Sequence, residues 1–306
     1  MFKFENEQKI FHIGDVEVGG QPGELPTVLI GTIFYHGDKI VENEKTGAFD
    51  KQKAEEFIEK QSELSEKTCN PVMLDVVGTS PEAICKYIDF VANLTDAPIL
   101  VDSSFMDVKI EGIKHAAEVG LLNRIVYNSI WYKTYEEELT AIKEVGVKSA
   151  LLLTFNPSNA WPKGRLEMLY GKESNDQSLL KIAEKTGVEN TLIDGATFDV
   201  PSVGLVAEAA TLIKQEFGLP AGGAPCNAVL EWTRVKEYGK LAKKICMACS
   251  VTVLQRAGAD FILYGPIKNA EIIFPAAAMT DAIIAYAMRK HKVKTRTREH
   301  PLYKIF

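Results

Sequence analysis

The chain is poor in the groups that most often announce a chemistry. Its five histidines, at 12, 36, 115, 291 and 300, are scattered, and no two share a metal-ligand spacing. The patterns GxGxxG and GxxxxGK[ST] are absent, which argues against those modes of dinucleotide and nucleotide-triphosphate binding. No lysine closes a predicted strand, since Lys148 begins one, so a Schiff-base aldolase is disfavoured. Five cysteines without a secretory start point to a reducing compartment. Cys246 and Cys249 have CxxC spacing but fall in a helical pattern with no second pair nearby. Zinc sites usually take four ligands, so small buried side chains are the expected reading. The opening MFKFENEQKI has no apolar core. The most apolar late stretch, 272–279, contains Pro275 and stops before Asp281. That is short of the about 20 apolar residues a bilayer span takes. A cytoplasmic protein that does not itself span a membrane is expected. The net charge of −6 argues against general nucleic-acid binding.

What is present is a regular alternation. With 306 residues and 46% hydrophobic content, the chain fits one barrel of about 250 residues with extensions. Residues 1–26 form an N-terminal extension with a hairpin pattern at 8–20, and 288–306 form a basic tail. The tail carries Arg289, Lys290, Lys292, Lys294, Arg296, Arg298 and Lys304 against Glu299 alone, as a solvated face or a patch for an acidic partner. Strand patterns read 27–33, 71–77, 98–103, 124–130, 148–155, 191–196, 219–223 and 260–264. Between them lie a loop at 36–47 and helical patterns from Asp50, from Ser80-Pro81, and over 109–119, 134–145, 176–186, 203–217 and 230–257. A last helix, 267–291, is expected to kink or restart at Pro275. Eight strands alternating with eight helices indicate an α/β fold with a parallel sheet, and near-continuous apolar strands suit a (β/α)8 barrel. The stretch 156–175 is the longest insertion and a candidate lid.

Polar residues recur where the apolar runs end. Asp102 closes 98–103 and Asn128 closes 124–130, 26 residues on. Asp75, Asn156, Asp194 and Asn227 also fall at or just past strand ends. Any one of them can be a turn or helix cap. Several at one face of a barrel instead suggest a polar cup at its mouth. Carboxylates and carboxamides suit a flat, nitrogen-rich ligand such as a pterin, whose edge both donates and accepts. Gly222 and Gly223 let backbone approach a ligand, or else form an ordinary strand-to-helix turn. With no metal ligands and no evident nucleophile, the chemistry would rest on positioning and proton delivery.

Several segments carry a resemblance. GGQPGELPTVLIGTIFY (19–35), DAPILVDSS (96–104), YNS (127–129), DFILYGPIKNA (260–270) and the closing HPL (300–302) are similar to the H-subunit family of tetrahydromethanopterin S-methyltransferase over nearly the whole chain. More distantly, the strand ends resemble methyltetrahydrofolate:corrinoid methyltransferases and the pterin-binding barrels of dihydropteroate synthases. The resemblance implies a pterin-binding barrel that moves a methyl group between pterin N5 and the cobalt of a corrinoid (cobalamin) held by a partner protein. It implies that Asp102, Asn128 and Asp194, with Asp75, hold the pterin, and that Asn227 lies near N5. Gly222 and Gly223 would leave room for pterin or corrinoid. The pterin is tetrahydrofolate or tetrahydromethanopterin. The 156–175 insertion and the turn before Asn227 depart from the archaeal pattern and favour tetrahydrofolate. A homodimer is expected from the resemblance alone. A tetrahydromethanopterin-specific component of a membrane complex, dihydropteroate synthesis, and a non-catalytic docking subunit are the competing readings. The second of these would need basic residues at the mouth, and Tyr264-Gly-Pro closes the last strand instead.

Overall fold

The computed structural model describes residues 2–171 and 178–305. Eight parallel strands close into a barrel: β1 (Val28–Ile33), β2 (Val72–Val77), β3 (Ile99–Asp102), β4 (Ile125–Ile130), β5 (Ser149–Leu153), β6 (Asn190–Asp194), β7 (Ala221–Gly223) and β8 (Phe261–Pro266). The order round the barrel is the order along the chain, and β8 pairs with β1 to close it. This is the expected (β/α)8 barrel.

Alternation sorts each strand into two faces. Val28, Ile30, Met73, Leu100, Val126, Leu151, Leu192, Phe261 and Leu263 pack together inside the barrel. Ile33, Leu74, Val76, Ile99, Val101, Ile125, Tyr127, Leu152 and Ile193 belong to the layer between strands and helices. The N-terminal hairpin, Ile10–Ile13 paired with Val16–Gly19, joins the interior through Ile13 and Val18. It therefore stoppers the end of the barrel where the strands begin, and leaves the other end as the mouth.

The helices α1 (Lys51–Thr68), α2 (Pro81–Leu94), α3 (Met106–Glu118), α4 (Glu136–Val145), α5 (Pro162–Tyr170), α6 (Leu179–Thr186), α7 (Ser202–Phe217), α8 (Pro225–Glu231), α9 (Ala242–Arg256), α10 (Ala270–Met288) and α11 (Leu302–Ile305) wrap the strands. Their starts follow local chemistry. The Asp50 carboxylate accepts from the Lys53 amide at 3.1 Å, and the Ser80 hydroxyl accepts from the Ala83 amide at 3.1 Å ahead of Pro81.

Four expectations need correction. The loop 36–47 contains most of a second hairpin, Val41–Asn43 with Ala48–Phe49. The pattern 230–257 is broken, because Trp232 is extended and Gly239 sits at φ +100°, so a short 3-10 turn separates α8 from α9. α10 runs through Pro275 without restarting. Pro275 and Glu271 both lie on the exposed side of the helix, so the carbonyl that loses its partner faces water. The helical stretch Ile267–His291, at mean hydropathy 1.4, is also long and apolar enough to cross a membrane by length and composition, contrary to the shorter reading. In this fold it packs on α9 and α1 as part of the helical ring. The predicted start at 176 of the helix α6 lies outside the described residues.

The basic tail is tied to the stoppered end. Arg296 donates its amide to the Glu24 carbonyl at 2.9 Å and pairs through Nε with Glu17 at 3.0 Å.

Candidate functional site at the barrel mouth

The polar residues at the mouth are in phase with the apolar interior. Two positions on from Ile30, Met73, Leu100, Val126 and Leu192 stand Thr32, Asp75, Asp102, Asn128 and Asp194. Because a strand repeats every two residues, each continues the inward face of its own strand and points into the mouth. Asp102 and Asn128 are direct partners across β3 and β4, as are Thr32 and Asp75 across β1 and β2. Sequence reading missed Thr32, although its position two past Ile30 is the signal that would have found it.

These groups form a defined network. Asn128 Nδ2 donates to Asp75 Oδ1 at 3.0 Å, and Thr32 Oγ1 donates to Asp75 Oδ2 at 2.9 Å. Both oxygens of Asp75 are thereby held, and the Asn128 amide is fixed with its oxygen left as an acceptor. Among the described residues no side chain donates to the Asp102 carboxylate, which is only part-buried. Burial pushes the Asp75 carboxyl up to about 6, against the hydrogen bonds from Asn128 and Thr32. Asp102 is raised well above the usual carboxylate range, first by burial and then by the Asp75 charge, with Lys109 opposing. Both rises favour the protonated form, because burial and a like charge nearby disfavour an ionised carboxyl.

Asp194, on the far side of the mouth, is raised to about 6 by burial, and its Oδ1 accepts from the Ala196 amide at 2.6 Å. Arg165, missed by sequence reading because it lies in the supposed loop, is fully buried. It donates from Nη1 to the Ala196 carbonyl at 2.7 Å and from Nε to the Ala160 carbonyl at 3.1 Å. It ties the segment after β5 to the segment after β6, and its charge opposes the rise of Asp194.

Other candidates fall elsewhere. Asn227 lies on α8 rather than at the end of β7, is exposed, and sits over Gly265, where an added Cβ would come within 2.9 Å of its Oδ1. Gly222 and Gly223 do not hold space open. A Cβ at 222 would meet the Phe261 carbonyl oxygen at 2.2 Å, and one at 223 would meet Val206 Cγ1 at 2.9 Å. The room they leave is filled by β8 and α7, so packing explains both. Asn156 is a turn cap: its Oδ1 accepts from the Ser158 and Asn159 amides at 3.0 and 3.1 Å. The described part of the 156–175 insertion is a turn at 156–161 followed by α5, with Pro162, Arg165, Leu166 and Leu169 buried and the helix packed on α7, and residues 172–175 lie outside the described residues. Cys226 is buried in the layer with α9 and not at the mouth, whereas Cys249 is exposed and Cys246 half-buried, unlike the buried pair expected.

A closed parallel barrel with a polar, hydrogen-bonded mouth defines the class. Among solved structures it is similar to the dihydropteroate synthase of Yersinia pestis, with a TM-score of 0.60 over 90% of this chain and 98% of that one at 14% identity. The enzyme from Xanthomonas albilineans with 4-aminobenzoic acid gives 0.58 over 91% and 98%, also at 14% identity. At that identity the likeness is one of fold. The family follows from sequence. Residues 6–296 match the family model of the tetrahydromethanopterin S-methyltransferase MtrH subunit. The tetrahydromethanopterin S-methyltransferase H-subunit of Methanopyrus kandleri is 45% identical over 96% of both chains, and that of Methanothermobacter thermautotrophicus is 39% identical over the full length of both. The chain belongs to this family, and it is a methyltransferase.

Proposed function

We propose that this methyltransferase moves a methyl group between N5 of a tetrahydropterin and the cobalt of a corrinoid carried by a partner protein. The observation that carries the reading is the set Thr32, Asp75, Asp102, Asn128 and Asp194, all continuing the inward face of their strands at the mouth. A pterin edge offers ring N–H and amino donors beside a carbonyl and ring-nitrogen acceptors. Held carboxylates and a fixed carboxamide complement such an edge. The cobalt, when present, supplies the nucleophile or the methyl donor, so the chain needs neither.

The protein's task is then orientation and proton handling. Fixing the ring with Asp75 and Asn128 aligns N5, and orientation of this kind is worth up to about 7–11 kcal/mol in ideal cases. An amine leaves only as it gains a proton or a strong hydrogen bond. A protonated carboxyl at the mouth, Asp75 or Asp102, both raised by burial, is one source for it. Asn227, exposed on α8 with its amide beside Gly265, is the residue we assign to offer the hydrogen bond to N5. Exposed Phe105, Trp161, Phe198 and Val200 follow β3, β5 and β6. An apolar rim of this kind suits a partner that brings the corrinoid.

The pterin is the finer question. Both relatives named above are called tetrahydromethanopterin S-methyltransferase subunits, which favours that pterin. The departures at 156–175 and before Asn227 favour tetrahydrofolate. The ring edge is common to both, so the choice lies with segments that meet the tail. Mixing the protein with methylcobalamin and each pterin in turn, and following the corrinoid spectrum, tests the reading. Demethylation with one pterin names the substrate. No demethylation with either, and no pterin binding by calorimetry, refutes the reading in favour of a docking subunit. The expected homodimer has a candidate surface in exposed Ile245 and Val253 on α9 and Met279 and Ile283 on α10, and light scattering tests it.

A further inference from the structure

The polar ring of the mouth is broken at β5. Where β2, β3, β4 and β6 present Asp75, Asp102, Asn128 and Asp194, the inward positions of β5 are Leu151 and Leu153, and Leu153 stands level with Asp194. Thr154 still donates its amide to the Asp194 carbonyl at 3.0 Å, so the strand pairing persists one residue further. Phe155, the next position of period two, continues the same inward face as an apolar group. Its half-buried ring lies 6.0 Å from the ring of Tyr132, and Tyr132 lies 5.0 Å from Trp131, centre to centre. Phe198, after β6, flanks Phe155 at 5.0 Å. A strip of aromatic rings thus leads from the mouth over the edge between β5 and β4.

Core packing does not account for the strip. Trp131, Tyr132 and Phe155 belong neither to the cluster inside the barrel nor to the layers between strands and helices. Large rings in mutual contact outside the core mark a surface that something else covers. A cation stands at the outer end. The Lys133 ammonium is 5.4 Å from the centre of the Tyr132 ring and 6.0 Å from that of Trp131. Lys133 is exposed and pairs with no carboxylate among the described residues. Beyond it, Trp131 and Tyr132 line one end of a groove of about 430 Å³ between α4 and α6, whose charged side chains are Lys143, Lys185 and Glu136. The groove is therefore net basic on a chain that is net acidic.

We propose that Phe155, Tyr132 and Trp131 hold the aryl group of the pterin's tail, and that Lys133 takes the anion beyond it. The inference rests on the reading of the mouth as a pterin site and adds where the rest of the ligand lies. Tetrahydrofolate and tetrahydromethanopterin both carry an arylamine next to the pterin ring and an anionic end further out. From inside outward the protein offers hydrogen-bonding groups, then aromatic rings, then an ammonium, which is the order of those parts in the ligand. Offset or edge-to-face contact suits an aryl group against such rings. An ammonium on a flexible stem suits a carboxylate or a phosphate alike.

The test is calorimetry of the full chain with three ligands: tetrahydrofolate, tetrahydromethanopterin, and a tailless tetrahydropterin that bears a methyl group in place of the tail. Y132A should lower affinity for the tailed ligands by about tenfold and leave that for the tailless one within about twofold. Y132F keeps the ring and should match wild type with all three. K133E should lower affinity for the tailed ligands by at least about fivefold at low salt, less as salt rises, and leave the tailless one unaffected. A loss confined to one tailed ligand supports the assignment and names the tail that the strip takes. Equal losses for tailed and tailless ligands in Y132A, or no loss for either tailed one, overturn it. If Y132A fails to fold, K133E, a change at an exposed position, decides by the same comparison. If the tailless ligand binds too weakly to measure, loss in Y132A against retention in Y132F supports the assignment, and equal affinities in the two overturn it. A wild type that binds the tailless ligand as tightly as the tailed ones overturns the tail site alone and leaves the pterin reading standing. A wild type that binds none of the three overturns both.

Discussion

Replacing Asp75 with asparagine should make the protein more stable at neutral pH while impairing its site. The Asp75 carboxyl is buried, and burial raises it from the ordinary 3.8 to about 6. The rise of about two units corresponds to roughly 3 kcal/mol. The sign follows from proton binding. The folded state holds this proton more tightly than the unfolded chain, so the contribution to stability is fully present below about pH 4. It is lost as pH rises through about 6, and at pH 7.5 the whole cost of the buried carboxylate stands. Asparagine has the same shape. Its oxygen can accept from Asn128 Nδ2, and its amino group can donate to Thr32 Oγ1, so both hydrogen bonds survive. Part of the relief belongs to Asp102, which loses a like-charged neighbour. For a chain of 306 residues, the unfolding entropy makes 3 kcal/mol a rise of roughly 5 °C in Tm. Thermal melts of wild type and D75N at pH 7.5 and pH 4 measure this. The rise should be present at the higher pH and absent at the lower, and pterin affinity should fall by at least about tenfold, one hydrogen-bonded charge being worth about 1.5–3 kcal/mol. A variant that melts below wild type at pH 7.5, or differs from it equally at both pH values, would refute the reasoning.

Asp102→Ala should abolish measurable pterin binding in calorimetry with the fold intact by circular dichroism, because it removes the carboxylate to which, among the described residues, no side chain donates. Asn227→Ala should keep pterin affinity within about threefold and slow single-turnover methyl transfer by about 100-fold, the usual scale for one transition-state donor. An unchanged rate would remove Asn227 from the chemistry. Lys214 pairs with Asp260 at 2.6 Å, wholly buried between α7 and the start of β8. Lys214→Met should therefore cost about 3–5 kcal/mol in urea unfolding, through an uncompensated buried carboxylate. Gly222→Ala should cost about 3 kcal/mol or more by forcing a Cβ against the Phe261 carbonyl. If it lowered pterin affinity without lowering Tm, the packing explanation would fail.

Much of the mouth was legible because two simple periodicities coincide there. An apolar run of period two that ends in Asp or Asn marks both a strand and the end of it that faces the mouth. Asp75, Asp102, Asn128 and Asp194 all satisfy that rule, and all continue the inward face. Asn156 satisfies the same rule and is a turn cap, because its side chain finds two amides within three residues of itself. Local sequence does not separate these cases, since both place a short polar side chain after a strand. Gly222 and Gly223 were misread for a related reason. A glycine demanded by a neighbouring strand or helix looks the same in sequence as one demanded by a ligand. Arg165 was missed because it answers to groups well separated along the chain, Ala196 and Asp194.

From the chain alone follow the strand-helix alternation, the barrel, and the polar character of its mouth. These depend on apolar periodicity and on the residue types that end each run, and both are properties of short segments. Family membership also rests on sequence, through matched segments spread over nearly its whole length. Tertiary structure alone decided which polar end is held by its neighbours, as Asp75 is by Thr32 and Asn128, and which one is open. Those facts depend on distances across the barrel, where closure brings Asp75 and Asn128 within 3.0 Å although 53 positions separate them. Charge interactions follow distance in space, and the order of residues does not contain that distance until the barrel has closed.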